Sequence, residues 1–461
     1  MVLYADSVFC QVFFPNTRGF YYIHLNGGVY LSDLKQYLQD EIDRVCGIFE
    51  RHGEQKLSQL FRNCYPNTFE TTAKCEDDGT TYVFTGDIPA MWLRDSTAQV
   101  HQYLPLTARN AQVADVIEGL IRRQMQCVLY DPYANAFNEA ENGHGHTKDR
   151  PLQKPMVWER KYEIDSLCFV LWLCCGFRKA SGRTAFLKDG QFAQTFRAIL
   201  SLWRTEQRHA EQSPYLFIRD NCRATDTLSH DGKGAPVSYT GMTWSGFRPS
   251  DDSCVYGYLI PANLFAVTVL RETAQIVSDD LQDAALAAEA RALADEIEAG
   301  VRQYGIVEHP QFGRMYAYET DGMGNYVFMD DSNVPSLISI PYFGYCDAQD
   351  EVYQNTRRFI LSKENPYYYE GSVLRGTGSP HTPEGYVWHI GLSLQALTAV
   401  DAHERMRVLR MLESSDGGTG FMHEGVCADD PNTFTRPWFA WSNSIFSELL
   451  LEFAQQLEAN E

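Results

Sequence analysis

A chain of 461 residues can bury one large core or two ordinary ones, so length alone leaves the domain count open. Its 39 Lys and Arg against 60 Asp and Glu give a formal charge of −21, which repels phosphate backbones and anionic lipid surfaces and argues against nucleic acid as a partner. The longest apolar run, Cys168 to Phe177, is about half of what a membrane-spanning helix needs, which argues against a membrane partner as well.

Residues 1–31 stand apart as an N-terminal extension, with alternating aromatics and an Asn26-Gly27 turn signal that suit either a hairpin or a poorly ordered segment. No basic stretch followed by a continuous apolar core is present there, because Asp6 interrupts the only candidate. The twelve cysteines show no C-x-x-C pair and no regular spacing. Reduced thiols in a cytoplasmic protein are therefore expected rather than a disulfide framework or a zinc site.

From residue 32 to 461 a single, mostly helical domain is expected. Leu38, Ile42, Val45 and Phe49 fall on one helical face behind Ser32 as a candidate N-cap. Val113, Ile117, Leu120, Gln124 and Val128 repeat the pattern, as do Leu286, Ala290, Leu293, Ile297, Val301 and Tyr304, and the last helix carries Phe446, Leu450, Phe453 and Leu457. No glycine-rich phosphate-binding motif follows a strand, so nucleotide-binding α/β folds lack their usual support. Between the helices lie six stretches dense in Gly, Pro, aromatics and acids: 85–96, 132–165, 216–256, 305–345, 365–389 and 416–442. Six decorated connections joined by helices fit a barrel of helical hairpins whose loops meet at one mouth.

The chemistry is concentrated in those connections. In Gly241 to Tyr258, an aromatic, Arg248 and the adjacent acids Asp251 and Asp252 sit among turn-forming residues, where they read as a pocket wall. Glu424 lies in a similar setting in GFMHEG, ahead of the aromatic stretch Pro431 to Ser444. Two carboxylates in unlike surroundings, each flanked by indoles, suit acid and base work on a sugar, whose C–H face packs on aromatic planes. Trp92 can shape a pocket floor, and Arg94 with Asp95 offers a donor fork and a two-oxygen acceptor for vicinal hydroxyls, or else a buried pair tying two helices together. The charges of ERKYEID (Glu159 to Asp165) read first as a solvated face or a salt network between helices. Asp330, Asp331 and Asn333 suit caps or turns, with Asn333 also a candidate substrate contact. His381, Trp388 and His389 read as a pocket rim, with Trp388 available for stacking. His144 and His146 flank a glycine without further ligands at a recognisable spacing, so they read as a surface loop and no metal site is expected.

The blocks TGDIPAMWLRDS, VWERKYEIDSLC, FRPSDD, FMDDSNVPSL, GTGSPHTPEGYVWHIGLSLQALTA and FTRPWFAWSNS resemble glycoside hydrolase family 125, exo-acting α-1,6-mannosidases, from about residue 33 to the C-terminus. The resemblance implies an all-α (α/α)6 barrel and a pocket for terminal mannose on a mannose-containing oligosaccharide. It also implies hydrolysis with inversion and without cofactor or metal. Carried over, the general acid falls in the Asp251-Asp252 pair, with Asp251 favoured, and the base falls on Glu424. Inversion needs the two carboxyls roughly 6.5–9.5 Å apart, so that a water fits between base and sugar. An acid protonated near neutrality needs a raised pKa, and Asp252, Trp244 and Phe247 are the expected causes. His423 or Arg436 is expected to hold Glu424 ionised.

Two rival readings carry distinct signatures. An isoprenoid cyclase on the same barrel would need a D-D-x-x-D helix motif, which none of the acid pairs forms. A non-catalytic carbohydrate-binding protein would lack one carboxylate, and both candidates are present. Oligomeric state and natural glycan are left open by the sequence. Full activity in EDTA is the expected outcome of an assay on an α-mannoside, and loss restored by a divalent cation would contradict it.

Overall fold

The computed structural model describes residues 35–460 and, as backbone, 9–13 and 20–24. Phe9–Phe13 pairs antiparallel with Phe20–His24. The expected turn at Asn26-Gly27 and the expected cap at Ser32 lie outside the described residues.

Twelve described helices have nine residues or more. They are α1 (Gln39–Arg51), α2 (Gln55–Cys64), α3 (Leu93–His101), α4 (Ala111–Tyr130), α5 (Ile164–Ser181) and α6 (Gln191–Glu206). The second half of the chain adds α7 (Ile260–Ile276), α8 (Ala284–Gly300), α9 (Glu351–Ile360), α10 (His389–Leu397), α11 (Ala402–Glu413) and α12 (Ala440–Ala459). Inner and outer positions alternate along the chain. Helix α5 packs between α3 and α7, and α12 packs between α3 and α10, forming the inner ring. Outside it, α4 lies on α5, α8 on α7, α11 on α10, and α1 and α2 on α12. A turn-rich segment, 336–345, packs against α7 and α12. Its Phe343 ring lies 4.9 Å from Phe265 of α7, and its Tyr342 hydroxyl donates to Glu448 of α12 at 2.9 Å. The architecture is the (α/α)6 barrel.

The outer helices follow amphipathic spacing. In α4, Val113, Ile117, Leu120, Gln124 and Val128 are all buried, and Asn110 caps the helix by accepting from the Val113 amide at 3.1 Å. In α8, Leu286, Ala290, Leu293 and Ile297 are buried behind an Asp283 cap. The inner helices differ, since α5 is buried without a break from Ile164 to Cys175 and α7 from Ile260 to Leu270. They carry no polar stripe, because neighbours surround them.

Side-chain caps within their own flanks are missing at the starts of the inner helices α3, α5, α7, α10 and α12. The first amide of each is instead bound by a distant loop. Leu93 donates to the Asn135 carbonyl at 3.0 Å, Ile260 to Tyr318, His389 to Glu424 and Ala440 to Thr85, while Ile164 donates to the Ser245 hydroxyl at 3.2 Å. Helix starts and loops therefore hold one another at the same end of the barrel. Short three-stranded sheets add a lip there, among them Met91–Trp92 with Ala136–Phe137 and Val157–Glu159, and Tyr386–Trp388 with Gly425–Cys427 and Asp430–Phe434.

The loop that leads from Trp244 to α7 depends on a glycine. Trp244 is buried, its ring stacked on His209 with centroids 3.5 Å apart. A Cβ at Gly257 would stand 1.9 Å from the indole nitrogen. Gly257→Ala is expected to lower stability by about 1–3 kcal/mol through overpacking. A urea midpoint unchanged from wild type would contradict this.

Candidate active site

At the N-terminal end of the inner helices lies a cavity of about 320 Å³, lined by Trp92, Arg94, Asp95, Asp251, Asn333, His381, Trp388, Glu424, Arg436, Phe439 and Trp441, with Thr85, Asp87, Ile88, Pro249 and Ser250. Six of the sixteen, Trp92, Arg94, Asp95, Trp388, Phe439 and Trp441, sit within two positions of a helix start, so they are aimed by helices whose amides carry partial positive charge, and the rest come from loops. Asp251 and Glu424, distant in sequence, line the same cavity.

Asp251 is held in an uncommon backbone conformation, with φ 66°. A non-glycine residue there stores strain, of the kind that persists where surrounding contacts over-determine it. Those contacts are visible. The Asp251 amide donates to the Arg248 carbonyl at 2.9 Å, the Arg248 amide to the Asp252 carbonyl at 2.8 Å, and the buried Lys161 ammonium to the Asp251 carbonyl at 2.7 Å. Its Oδ1 accepts from Arg94 Nη2 at 3.0 Å, Asn135 Nδ2 at 3.3 Å and Trp92 Nε1 at 3.3 Å. All three donors meet on one oxygen, leaving Oδ2 uncommitted to any of them.

Arg94 is the hub of this region. Its Nη1 donates to Asp95 at 2.7 Å, its Nη2 to Glu163 at 3.1 Å as well as to Asp251, and its Nε to Asp165 at 3.2 Å. Burial by itself would raise the Asp251 pKa, but the charges of Arg94 and Lys161 outweigh it and hold the carboxyl well below the usual carboxylate range. The sequence-based expectation of a raised value is thereby corrected. Neither Trp244 nor Phe247 lines the cavity: the former stacks on His209 and the latter packs edge-on against Phe217. Burial also raises cavity-lining Asp95, and two further raised acids lie behind the cavity. Burial lifts Glu163 well above its ordinary value against the pull of Arg94, and burial lifts Asp165 to about 7.

Glu424 immediately precedes the strand Gly425–Cys427 and is 6% exposed, so it meets the cavity with little open solvent around it. Its Oε2 accepts from the Thr435 hydroxyl at 3.0 Å, and Arg436 Nη1 lies 3.8 Å from its Oε1. Arg436 is itself anchored by two Nε contacts to Asp87 at 3.1 Å. His423 is not a partner of the Glu424 carboxylate. Its ring stacks on Phe434 with centroids 3.7 Å apart and faces Thr419, and burial lowers its pKa.

Of the residues singled out in the sequence, Trp92, Arg94, Asp95, Asp251, Asn333, His381, Trp388 and Glu424 line the cavity, whereas Arg248, Asp252 and His389 do not. Arg248 Nε is paired with buried Glu319 at 2.5 Å. Asp252 is 1% exposed and takes His381 Nδ1 at 3.1 Å, so it stands behind the rim histidine. Burial alone would lower the His381 pKa, but the Asp252 hydrogen bond and charge raise it. His389 is fully buried against Ser415 and the His423 amide. The two readings of Arg94 and Asp95 coincide, since they form a buried pair and also line the cavity. Asp330 holds a turn, accepting from the Leu337 and Ile338 amides at 2.8 and 3.2 Å, and Asp331 takes the Ser250 hydroxyl at 2.6 Å. His144 and His146 are exposed.

The ERKYEID block overturns the solvated-face reading. Glu159, Lys161, Glu163 and Asp165 are each 3% exposed or less and surround Arg94 and Asp251. Sequence reasoning did not place Lys161, Glu163 and Asn135 in the site, nor the cavity-lining Asp87, Phe439 and Trp441. The available signal for Lys161 and Glu163 was charge density immediately before an unbroken apolar helix, a place where solvent is scarce.

A cavity lined by aromatic rings and by carboxylates from loops far apart in sequence, at the loop end of an (α/α)6 barrel, is the site of a glycoside hydrolase. The family model for metal-independent α-mannosidases, glycoside hydrolase family 125, matches residues 54–451, and the chain belongs to that family. A Streptococcus pneumoniae metal-independent α-mannosidase, solved in a non-productive substrate complex with α-1,6-mannobiose, is 46% identical and superposes with a TM-score of 0.89 over 91% of this chain and 99% of that one. The meiotically up-regulated gene 157 protein of Schizosaccharomyces pombe is 39% identical over 92% of this chain and 85% of its own length. A bacterial glucoamylase complexed with acarbose, 12% identical, shares the fold with a TM-score of 0.60 over 94% of this chain and 60% of that one.

Lys161 is the cation whose removal exposes the electrostatics of the site. It is 2% exposed and pairs with Asp226 at 2.9 Å and Glu159 at 3.7 Å, in addition to the Asp251 carbonyl. Lys161→Met is expected to destabilise by up to roughly 3–5 kcal/mol, because Glu159 and Asp226 lose one of the two cations they share, leaving Arg219, and the Asp251 carbonyl loses its donor. Denaturant unfolding checks this, and a loss below about 1 kcal/mol, the scale of an exposed pair, would contradict it.

Proposed function

We propose that this α-mannosidase releases terminal α-1,6-linked mannose from the non-reducing end of mannose-containing oligosaccharides with inversion, using Asp251 as general acid and Glu424 as general base. The observation that carries the assignment is that these two carboxylates, from loops far apart in sequence, line one cavity. Its volume, about 320 Å³, is near the lower end for small-molecule sites and suits the end of a chain rather than its middle. The mannobiose held by the Streptococcus pneumoniae relative supports the linkage.

In this reading the sugar ring packs on the indoles that wall the cavity, with Arg94, Asp95 and Asn333 in reach of its hydroxyls. Asp251 protonates the glycosidic oxygen as the C1–O bond breaks. Glu424 takes a proton from a water that attacks C1 from the opposite face, and the configuration at C1 inverts. His381 sits on the rim beside Asp252, where a leaving sugar would pass.

Asp251→Asn and Glu424→Gln should each lower kcat/KM on α-1,6-mannobiose by at least about a hundredfold, the scale of one general acid or base, with unfolding midpoints near wild type. A folded variant with wild-type turnover would remove that residue from the mechanism. NMR at early times should show β-mannose first, and α-mannose first would overturn inversion.

A further inference from the structure

Asp251 poses a problem for its proposed role: it stands among donors and cations that favour its charged form, yet it has to deliver a proton. The source of that proton is visible directly behind it. Glu163, the residue preceding α5, has a side chain with no solvent exposure. Arg94 Nη2 donates both to Glu163 Oε2 at 3.1 Å and to Asp251 Oδ1 at 3.0 Å. Asn135 Nδ2 likewise spans both carboxyls, reaching Glu163 Oε1 at 3.2 Å and Asp251 Oδ1 at 3.3 Å. Two separate donors that each bridge the same two carboxyls set them side by side.

Charge count points the same way. Four carboxyl groups, those of Asp95, Glu163, Asp165 and Asp251, share the one Arg94 guanidinium. Lys161 is engaged by Asp226, Glu159 and the Asp251 carbonyl oxygen. Excess buried negative charge is relieved most cheaply by keeping a proton between adjacent carboxyls.

We propose that Glu163 shares the catalytic proton with Asp251, storing it in the empty enzyme and passing it forward when the glycosidic oxygen arrives. This rests on Asp251 being the acid. The Glu163 O–H bond breaks and the proton moves to the Asp251 carboxylate. Asp251 then releases it to the glycosidic oxygen, which keeps the electron pair of the broken C1–O bond and leaves as an alcohol. Water supplies the new C1–O bond, and its proton goes to Glu424. Glu163 and Asp251 end as carboxylates and regain one proton from Glu424 through solvent, so the net reaction is hydrolysis. Glu163 acts through Asp251 and is a positioning residue. The opposite directions of the two pKa displacements, Glu163 upward and Asp251 downward, agree with this division.

The sign of the pH effect follows. In the wild type the pair keeps its proton until pH rises through the elevated value set on Glu163. With glutamine there, Asp251 has to bind the proton alone beside Arg94, Lys161 and the rim His381, with Asp95 and Asp165 as its acidic neighbours, and it does so only at lower pH.

Glu163→Gln preserves shape and is expected to lower kcat on α-1,6-mannobiose at neutral pH by about a hundredfold, the scale of lost acid catalysis. The basic limb of its pH profile should move down by more than about one pH unit, with activity recovering as the pH falls. On 2,4-dinitrophenyl α-mannoside, whose leaving group needs little protonation, it should stay within about tenfold of wild type. Glu163→Asp should restore part of the neutral-pH activity. An unchanged profile in Glu163→Gln, or an equal loss at every pH, would overturn the proposal. The same two substrates given to Asp251→Asn separate the layers. If that variant loses both equally, the assignment of Asp251 as acid fails. If it spares the aryl mannoside while Glu163→Gln matches wild type, only the proton sharing fails.

Discussion

The site is organised around one guanidinium. Arg94 binds carboxyls from its own helix, from the start of α5 and from the loop before α7, and all but Asp251 are almost wholly excluded from solvent. Removing such a cation would leave several buried charges without a partner, which is far more costly than the net value of any one pair. Its fork geometry makes the cluster directional as well as neutralising, because Nη1 and Nε each take one acid and Nη2 takes two. Asp251 is thus fixed in space and in ionisation by a residue 157 positions away in the chain.

The barrel supplies the rest of the rigidity. Each inner helix begins with an amide bound by a loop from elsewhere, and two of those loops carry Asn135 and Glu424 themselves. Helix and loop therefore cannot move independently. The same arrangement lets Asp251 hold a strained backbone: Arg248 closes the turn from within and the Lys161 ammonium holds the Asp251 carbonyl from across the fold, so local conformational preference is overruled.

Legibility in the sequence followed burial. Outer helices α1, α4 and α8 present one wet and one dry face, and their spacing was readable; inner helices α3, α5, α7 and α10 are surrounded and present no such period. Their caps were invisible for a related reason, since the partners of their first amides lie far along the chain. The ERKYEID charges illustrate the converse error. A run of charged residues usually signals solvent, and only the fold reveals that Lys161 and Glu163 face Arg94 and Asp251 in the interior.

By itself the sequence determined the family motifs, a mostly helical barrel with decorated loops, and two candidate carboxylates in aromatic, turn-rich settings, because those depend on residue type and spacing. Which of two adjacent aspartates meets the cavity was decided by tertiary structure alone. Asp251 adopts a left-handed backbone conformation and turns its carboxyl to Arg94, while Asp252 is buried against His381. Neighbours in a turn share a composition but not a direction, and direction is set by hydrogen bonds from residues that only folding brings near.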